Sequence, residues 1–220
     1  MLDLRISNSI KNVLPDIRLG CVHAIVKVCP SSGKLLGFIE RIVKEIMEGI
    51  TIEQVSQLRL IAETKDAYRK LGKDPSRYRP SAEALTRRIV QGKGLYRVNN
   101  IVDALNALSI RYGFSIGGYD LEKIDPPVEL GIGGPSEPYD AIGRGALNIE
   151  NLPILRDMTG AFGSPTSDSQ RTMVRDNTHS FLMVYFDFKS SGKLKEVLLD
   201  TRHILEEYCG VTEIETKVYL

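Results

Sequence analysis

The segment Phe181 to Phe188, FLMVYFDF, is almost continuously apolar. Such a run is typical of a strand that is buried on both faces. After it, apolar side chains recur at intervals of three and four from Leu194 to Tyr208, which predicts a helix, and Gly210 is placed to end that helix. Apolar and polar side chains then alternate from Ile214 to Leu220, as expected of a half-buried strand. We therefore predict that the chain ends as strand, helix and strand, with Phe181 to Phe188 as the central strand of a sheet.

The region between Phe114 and this strand contains short apolar runs separated by glycines, which is typical of a sheet with many turns. The glycines are Gly117, Gly118, Gly131, Gly133, Gly134, Gly143, Gly145, Gly160 and Gly163. The run from Gly131 to Gly134 is too short, and too close to Pro135, for a dinucleotide-binding fingerprint, which needs a helix directly after it. We interpret this run as a turn.

The first half of the chain is helical apart from one strand. The segment Leu19 to Val28 is rich in Val and Ile and predicts that strand. Helical periodicity and capping residues predict the helices. They run from Leu35 to Gly49, Thr51 to Tyr68, Ser81 to Val90, and Asn99 or Asn100 to Gly113.

These patterns predict an α+β fold, in which a helical N-terminal half packs on a mixed, turn-rich β-sheet or sandwich in the C-terminal half. We expect one domain that spans residues 1–220, because no low-complexity or flexible linker separates the two halves.

The composition is that of an ordinary globular protein, with 42% hydrophobic and 26% charged residues and a net charge of +1. No apolar stretch is long enough to cross a bilayer, and the first residues lack a secretory signal, so we expect a cytoplasmic protein. The three cysteines, Cys21, Cys29 and Cys209, show no close-paired metal spacing. We expect no metal and no other cofactor.

Positive charge is concentrated between Arg69 and Arg97. This segment has nine basic and two acidic residues, a net charge of +7 in a chain whose total is +1. It includes the loop Gly72 to Pro80, GKDPSRYRP, in which two prolines exclude a helix. A basic segment on an otherwise acidic protein predicts a local phosphate-binding field. The alternative interpretation is a solvated helix-loop-helix surface.

Four motifs follow one another along the chain. They are Asp74 to Leu85, DPSRYRPSAEAL, with Arg87 and Arg88 after it; Val98 to Asn106, VNNIVDALN; Ser115 to Asp120, SIGGYD; and Gly163 to Thr172, GSPTSDSQRT. In this order and spacing the chain resembles the free-standing homologues of the tRNA-binding and editing domain of the phenylalanyl-tRNA synthetase beta subunit. The resemblance extends from about the first strand to the last, and several ordered motifs are far more specific than any one of them.

The chain is also similar, more faintly, to the synthetase domain itself, from which it departs at one position. A histidine of the synthetase turn is replaced by Gly117, while Asp168 and Arg171 fall where an Asp and an Arg of a later synthetase segment would be. The lost histidine argues against removal of tyrosine from tRNA by the synthetase's own residues.

The resemblance implies a site for tRNA or aminoacyl-tRNA, and the residues suggest how it would work. Water would attack the ester at the tRNA 3′ end, with Asp168 as base or ammonium ligand and the Gly117 and Gly118 N–H groups stabilising the oxyanion. The predicted substrate-binding residues are Asn106, Tyr119, Asp120, Ser164, Thr166, Arg171 and Thr172. The predicted nucleic-acid-binding residues are Arg77, Tyr78, Arg79, Arg87, Arg88, Lys93 and Arg97, with Tyr78 or Tyr96 stacking on an unpaired base.

Three functions are compatible with these patterns. The first is hydrolytic editing of mischarged tRNA in trans. The second is a module that binds tRNA or an aminoacyl group without chemistry, and the third is a protein-interaction domain whose basic face meets an acidic partner. The missing histidine favours the second function over the first, and the basic segment favours either over the third.

Overall fold

The computed structural model describes residues 2–220. These residues form six α-helices and ten strands. In chain order they are β1 Leu4–Ile6, α1 Asn8–Val13, β2 Arg18–Ile25, α2 Gly33–Gly49, α3 Arg59–Lys70, α4 Ser81–Val90, α5 Asn100–Tyr112, β3 Ile116–Asp120, β4 Val128–Ile132, β5 Asp140–Ala141, β6 Gly145–Ala146, β7 Pro153–Asp157, β8 Gly160–Gly163, β9 Ser180–Asp187, α6 Leu194–Cys209 and β10 Ile214–Tyr219. No helix among residues 2–220 is both long and apolar enough to cross a membrane.

Two four-stranded sheets form the β part of the structure. The central sheet has the strand order β10-β2-β9-β3 and is antiparallel throughout. The outer sheet has the order β1-β4-β7-β8, with β1 parallel to β4. Strands β5 and β6 form a separate hairpin.

Strand β9 is central, as its continuous apolar sequence predicts. Phe181, Met183 and Tyr185 pack in one core cluster with helices α2, α5 and α6, whereas Leu182 and Val184 pack in a second cluster with the outer sheet. Both faces of the strand are therefore buried, because helices cover one side of the central sheet and the outer sheet covers the other.

The α+β class is confirmed, but the two halves of the chain are not separate layers. The N-terminal half supplies β1 and β2 to the two sheets, and the C-terminal half supplies α6 to the helical layer. The predicted caps of α5 form, since the Asn99 side chain accepts the Val102 N–H and Gly113 adopts a left-handed conformation.

The predicted helix from Thr51 to Tyr68 is broken. A short 3-10 turn at Val55–Gln57 ends at Leu58, which is extended, and α3 begins at Arg59. Val55 and Ile61 both pack against Ala82. Residues six apart point about 120° from each other around a continuous helix, so the break lets both side chains reach the same neighbour.

The prediction of a turn from Gly131 to Gly134 is wrong for its first two residues. Gly131 and Ile132 lie in β4 and pair with β7. The glycine at 133 is needed for close backbone packing, because a Cβ atom there would overlap the carbonyl group of Ile149.

Candidate functional site

The loop between β8 and β9 carries most of the predicted substrate-binding hydroxyls. The Ser164 hydroxyl accepts the N–H groups of Thr166 (3.2 Å) and Ser167 (3.1 Å) and donates to the Ser167 carbonyl (2.9 Å). The Thr166 hydroxyl is buried and bonded to the Tyr68 hydroxyl at 2.8 Å. Ser164 and Thr166 therefore shape the loop, and neither hydroxyl is free for a ligand.

Asp168, further along this loop, binds the outermost strand of the central sheet. Its Oδ2 accepts the Gly118 backbone N–H at 3.1 Å. Its Oδ1 is buried and makes no hydrogen bond of ordinary geometry among residues 2–220. Burial raises the pKa of Asp168 to about 7, although the Gly118 N–H and the Tyr119 hydroxyl act in the opposite direction by stabilising the charged form. Asp168 as a whole residue is half-buried, but its carboxylate is buried.

Tyr119 occupies the space that the sequence suggests for a ligand. Its side chain is fully buried, and its ring packs edge-on against Phe162 with the centroids 5.0 Å apart. A Cβ atom on either Gly117 or Gly163 would overlap the Tyr119 hydroxyl. Positions 117 and 163 therefore have no room for a side chain, because the Tyr119 ring and hydroxyl occupy that space.

The predicted ligand-facing turn at Gly117 and Gly118 is thus corrected. Both residues lie inside β3 without a left-handed conformation, and the glycine at 118 makes room for Leu105. The Gly118 N–H is already bonded to Asp168, so it is not available to an oxyanion in this arrangement.

The Tyr119 hydroxyl and Asp168 Oδ1 are two buried oxygens that lie beside Gly117. A Cβ atom on Gly117 would overlap the Tyr119 hydroxyl and lie 2.9 Å from Asp168 Oδ1, so both oxygens lie close to one point. The two groups interact with each other, and this interaction contributes to the shifted pKa of both. Neither oxygen makes a hydrogen bond of ordinary geometry among residues 2–220, and the same holds for the buried Thr172 hydroxyl. Burial, and the negative charge of Asp168, raise the pKa of Tyr119 well above its usual value. Buried unsatisfied polar atoms are rare, and their clustering makes this the candidate chemical centre.

Two predicted substrate-binding residues are structural instead. The Arg171 guanidinium binds Asp157 through two bonds of 3.0 and 2.8 Å and also donates to the carbonyls of Lys123 and Gly160. Asp120 is buried and accepts the Thr178 hydroxyl at 3.0 Å. The Arg171 guanidinium therefore already has four hydrogen bonds to groups of the protein itself. Asn106, a third member of the predicted set, is half-buried and makes no hydrogen bond with its side chain among residues 2–220.

The predicted nucleic-acid-binding cations lie on α4 and in the loops at its two ends, and we name this set of residues the cationic face. Its members are Arg77, Arg79, Arg87, Arg88, Lys93 and Arg97. Two of them are partly neutralised, because the buried Glu83 lies 2.8 Å from Arg87 and 3.9 Å from Arg79. Arg77, Lys93 and Arg97 are exposed and make no ion pair among residues 2–220.

Tyr78 is not free to stack on a base, contrary to one of the two sequence predictions. The Lys73 ammonium lies 3.6 Å from the centre of its ring and is held by the carbonyls of Asn148 (2.9 Å) and Glu150 (2.7 Å). Tyr78 also packs against a buried cluster that includes Tyr68. Lys73, counted in the basic segment, is therefore buried and structural.

The cationic face adjoins the Asp168 loop. The backbone N–H of Ser81, the first residue of α4, donates to the Pro165 carbonyl at 2.8 Å. A second link is the bond between Tyr68 and Thr166. Sequence patterns place Tyr68 on an apolar helix face but give no sign of its hydroxyl partner, because the two residues are far apart in the chain.

Comparison with known proteins agrees with the resemblance seen in the sequence. The model of the B3/4 domain matches residues 63–207. Among solved structures, an N-terminal fragment of the phenylalanyl-tRNA synthetase beta-subunit from Pyrococcus horikoshii is similar, with 15% identity, a TM-score of 0.49, and coverage of 97% of this chain and 50% of that chain. The chain thus spans about half the length of that fragment. No curated protein sequence matches it significantly.

Proposed function

This chain belongs to the B3/4 domain family, which is found in the phenylalanyl-tRNA synthetase beta subunit, and from this premise we propose that it binds the acceptor end of tRNA. The matched residues, 63–207, include both the cationic face and the loop that carries Asp168. Phosphates of the RNA would be the partners of the exposed cations, and the RNA end would lie toward the loop.

One observation carries this proposal, the bond between Ser81 and Pro165. It fastens the start of the cationic helix to the loop of Asp168 at a backbone distance of 2.8 Å. A phosphate backbone that follows α4 would therefore pass beside the loop that carries Asp168. Arg77, Lys93 and Arg97 support it further, since all three are exposed and none forms an ion pair among residues 2–220, although Arg77 lies near enough to Asp74 to lower the pKa of that carboxyl.

The test compares two variants that each lose three positive charges. One is Arg77→Ala with Lys93→Ala and Arg97→Ala, on the cationic face. The matched control is Lys195→Ala with Arg202→Ala and Lys217→Ala, on α6 and β10. We expect the first variant to bind unfractionated tRNA at least about tenfold more weakly and the control to stay within about twofold. Equal losses in both variants would mean that total charge, and not this face, determines binding.

Hydrolysis of an aminoacyl ester is a second candidate function, favoured by the state of Asp168. A general base works best when its pKa is close to the working pH, and burial places the pKa of Asp168 at about 7. Asp168 Oδ1, which makes no hydrogen bond of ordinary geometry among residues 2–220, would take a proton from the attacking water. The new bond forms between the water oxygen and the ester carbon. The bond to the ribose oxygen then breaks, and that oxygen receives the proton.

This chemistry requires Tyr119 to move, because its hydroxyl lies beside Asp168 Oδ1 where the water would have to bind. The test is loss of the ester from a panel of mischarged tRNAs, with Asp168→Asn as the variant and Asp176→Asn, an exposed carboxylate, as the control. Turnover that disappears only in Asp168→Asn, with tRNA binding retained, supports hydrolysis. Binding without turnover on every tRNA supports the binding function alone.

A further inference from the structure

Tyr96 is the only tyrosine or phenylalanine among residues 2–220 that is largely exposed. Its exposed fraction is 56%, whereas the other tyrosines and the phenylalanines are buried or half-buried. Exposure of one ring is ordinary by itself, so the groups that surround Tyr96 decide what it can contact. The neighbouring Val98 is also exposed, at 61%.

Arg88 holds this ring in place from one side. The Arg88 guanidinium lies 4.0 Å from the centre of the Tyr96 ring, well within the range of a cation–π contact. Arg87 on the same helix is instead paired with Glu83. Arg88 makes no ion pair among residues 2–220, and its buried Nε has no hydrogen-bond partner there. The contact with Tyr96 is thus its principal interaction, and it fixes the ring without neutralising the charge.

The surroundings of Tyr96 match what single-stranded nucleic acids require. Lys93 and Arg97 flank the ring in sequence, and both are exposed and unpaired among residues 2–220. Non-specific recognition of single strands combines cations along the backbone with aromatic rings on which bases stack. Along the axis of α4, Arg88 lies roughly 10 Å from Ser81, where the helix meets the Asp168 loop.

We propose that the Tyr96 ring, backed by Arg88, is a stacking platform for an unpaired nucleobase of the bound RNA. This inference rests on the proposed tRNA binding. It adds that the loop after α4, which carries Tyr96, contacts an unpaired base. Bases inside a duplex are already stacked on each other, so the ligand of this ring is a base in a single-stranded extension or loop. Tyr78, the other tyrosine of the basic segment, is excluded because its ring contacts Lys73 and also packs against the buried cluster that includes Tyr68.

The test uses two RNA hairpins of the same stem, one blunt and one with a four-nucleotide single-stranded 3′ extension. Tyr96→Ala should weaken binding of the extended hairpin by about 5- to 100-fold, the range found for loss of one stacked base, and leave the blunt hairpin within about twofold. Tyr96→Phe keeps the ring and should bind both hairpins like the unaltered protein. Val98→Ala, the matched exposed apolar control, should have no effect on either. Circular dichroism verifies that each variant is folded.

The salt dependence of binding gives a second readout. Tyr96→Ala should leave the slope of affinity against salt unchanged, because the ring neutralises no phosphate, whereas Arg97→Ala should reduce the slope by about one contact. The inference is overturned if Tyr96→Ala binds the extended hairpin as tightly as the unaltered protein, or loses affinity equally for both hairpins. If the unaltered protein binds neither hairpin, the tRNA-binding proposal fails, and this inference fails with it.

Discussion

The Gly118 backbone N–H donates a hydrogen bond to Asp168 Oδ2 at 3.1 Å and joins the outermost strand of the central sheet to the loop before β9. This bond accounts for the position of Asp168, but it satisfies only one of the two carboxylate oxygens. The other oxygen is buried near the Tyr119 hydroxyl. The protonation state of Asp168 therefore affects both stability and any chemistry at this centre.

The first prediction concerns pH. The pKa of Asp168 is about 7 in the folded protein and about 3.9 in an unfolded chain, so between these values the folded state binds more protons. The contribution of this group to stability is then fully present below about pH 4 and is lost as the pH rises to about 7. Other carboxylates have lowered pKa values, among them Asp157, and act in the opposite direction. The difference from Asp168→Asn isolates the effect of Asp168.

We expect Asp168→Asn to become more stable, relative to the unaltered protein, as the pH rises from 5 to 7, by up to about 1.4 kcal/mol per pH unit. The asparagine keeps an oxygen for the Gly118 N–H and carries no charge. Urea unfolding at pH 5, 6, 7 and 8 measures the two curves. Parallel curves would show that Asp168 titrates near its ordinary value in the folded state.

The second prediction concerns the space around Tyr119. Gly117→Ala places a methyl group onto the Tyr119 hydroxyl and should lower the free energy of unfolding by about 1 to 3 kcal/mol, as overpacked cores do. Adding Tyr119→Phe removes the overlapping oxygen but leaves the ring carbon Cζ in overlap with the new methyl group, so it should restore only part of the loss. Gly37→Ala, in open space on helix α2, is the control and should be neutral or stabilising by up to about 1 kcal/mol. Equal stability of Gly117→Ala and Gly37→Ala would contradict the packing described here.

The third prediction concerns Arg171, which the sequence suggests as an adenosine-binding residue. Arg171→Ala removes the charged partner of Asp157, whose side chain is buried but still accepts hydrogen bonds from the N–H groups of Asp125, Thr159 and Gly160, so it should lower stability by about 1 to 3 kcal/mol. Asp157→Ala in the same chain should recover part of the loss, and a double-mutant cycle measures the coupling. Arg5→Ala, which breaks an exposed pair with Glu129, should change stability by less than about 1 kcal/mol. If Arg171→Ala lost RNA affinity without losing stability, Arg171 would be an RNA-binding residue and not a structural one.

The sequence predicts those parts of the fold that depend on neighbouring residues in the chain, such as apolar runs and helix caps. The apolar run at β9 predicts a strand buried on both faces, and Asn99 and Gly113 predict both ends of α5, because burial and helix capping act locally. The break at Leu58 is not visible in the sequence, since it depends on Val55 and Ile61 meeting Ala82.

The candidate site is predictable only in part, for the same reason. The motifs identify the Asp168 loop and the basic segment as important, and the structure joins them at Ser81 and Pro165. They do not reveal which side chains are already used within the fold. Arg171 and Tyr78 look available in the sequence, but Asp157 and Lys73 occupy them. Partners this distant in sequence follow from the folded arrangement of the chain.

The salt dependence of tRNA binding tests the central claim most directly. If Arg77, Lys93 and Arg97 contact phosphates, the triple alanine variant should reduce the slope of log affinity against log salt by about two to three, since each contact contributes roughly 0.7 to 0.9. The control variant at Lys195, Arg202 and Lys217 should keep the slope of the unaltered protein. The same slope for all three proteins would contradict the assignment of the cationic face as the tRNA-binding surface.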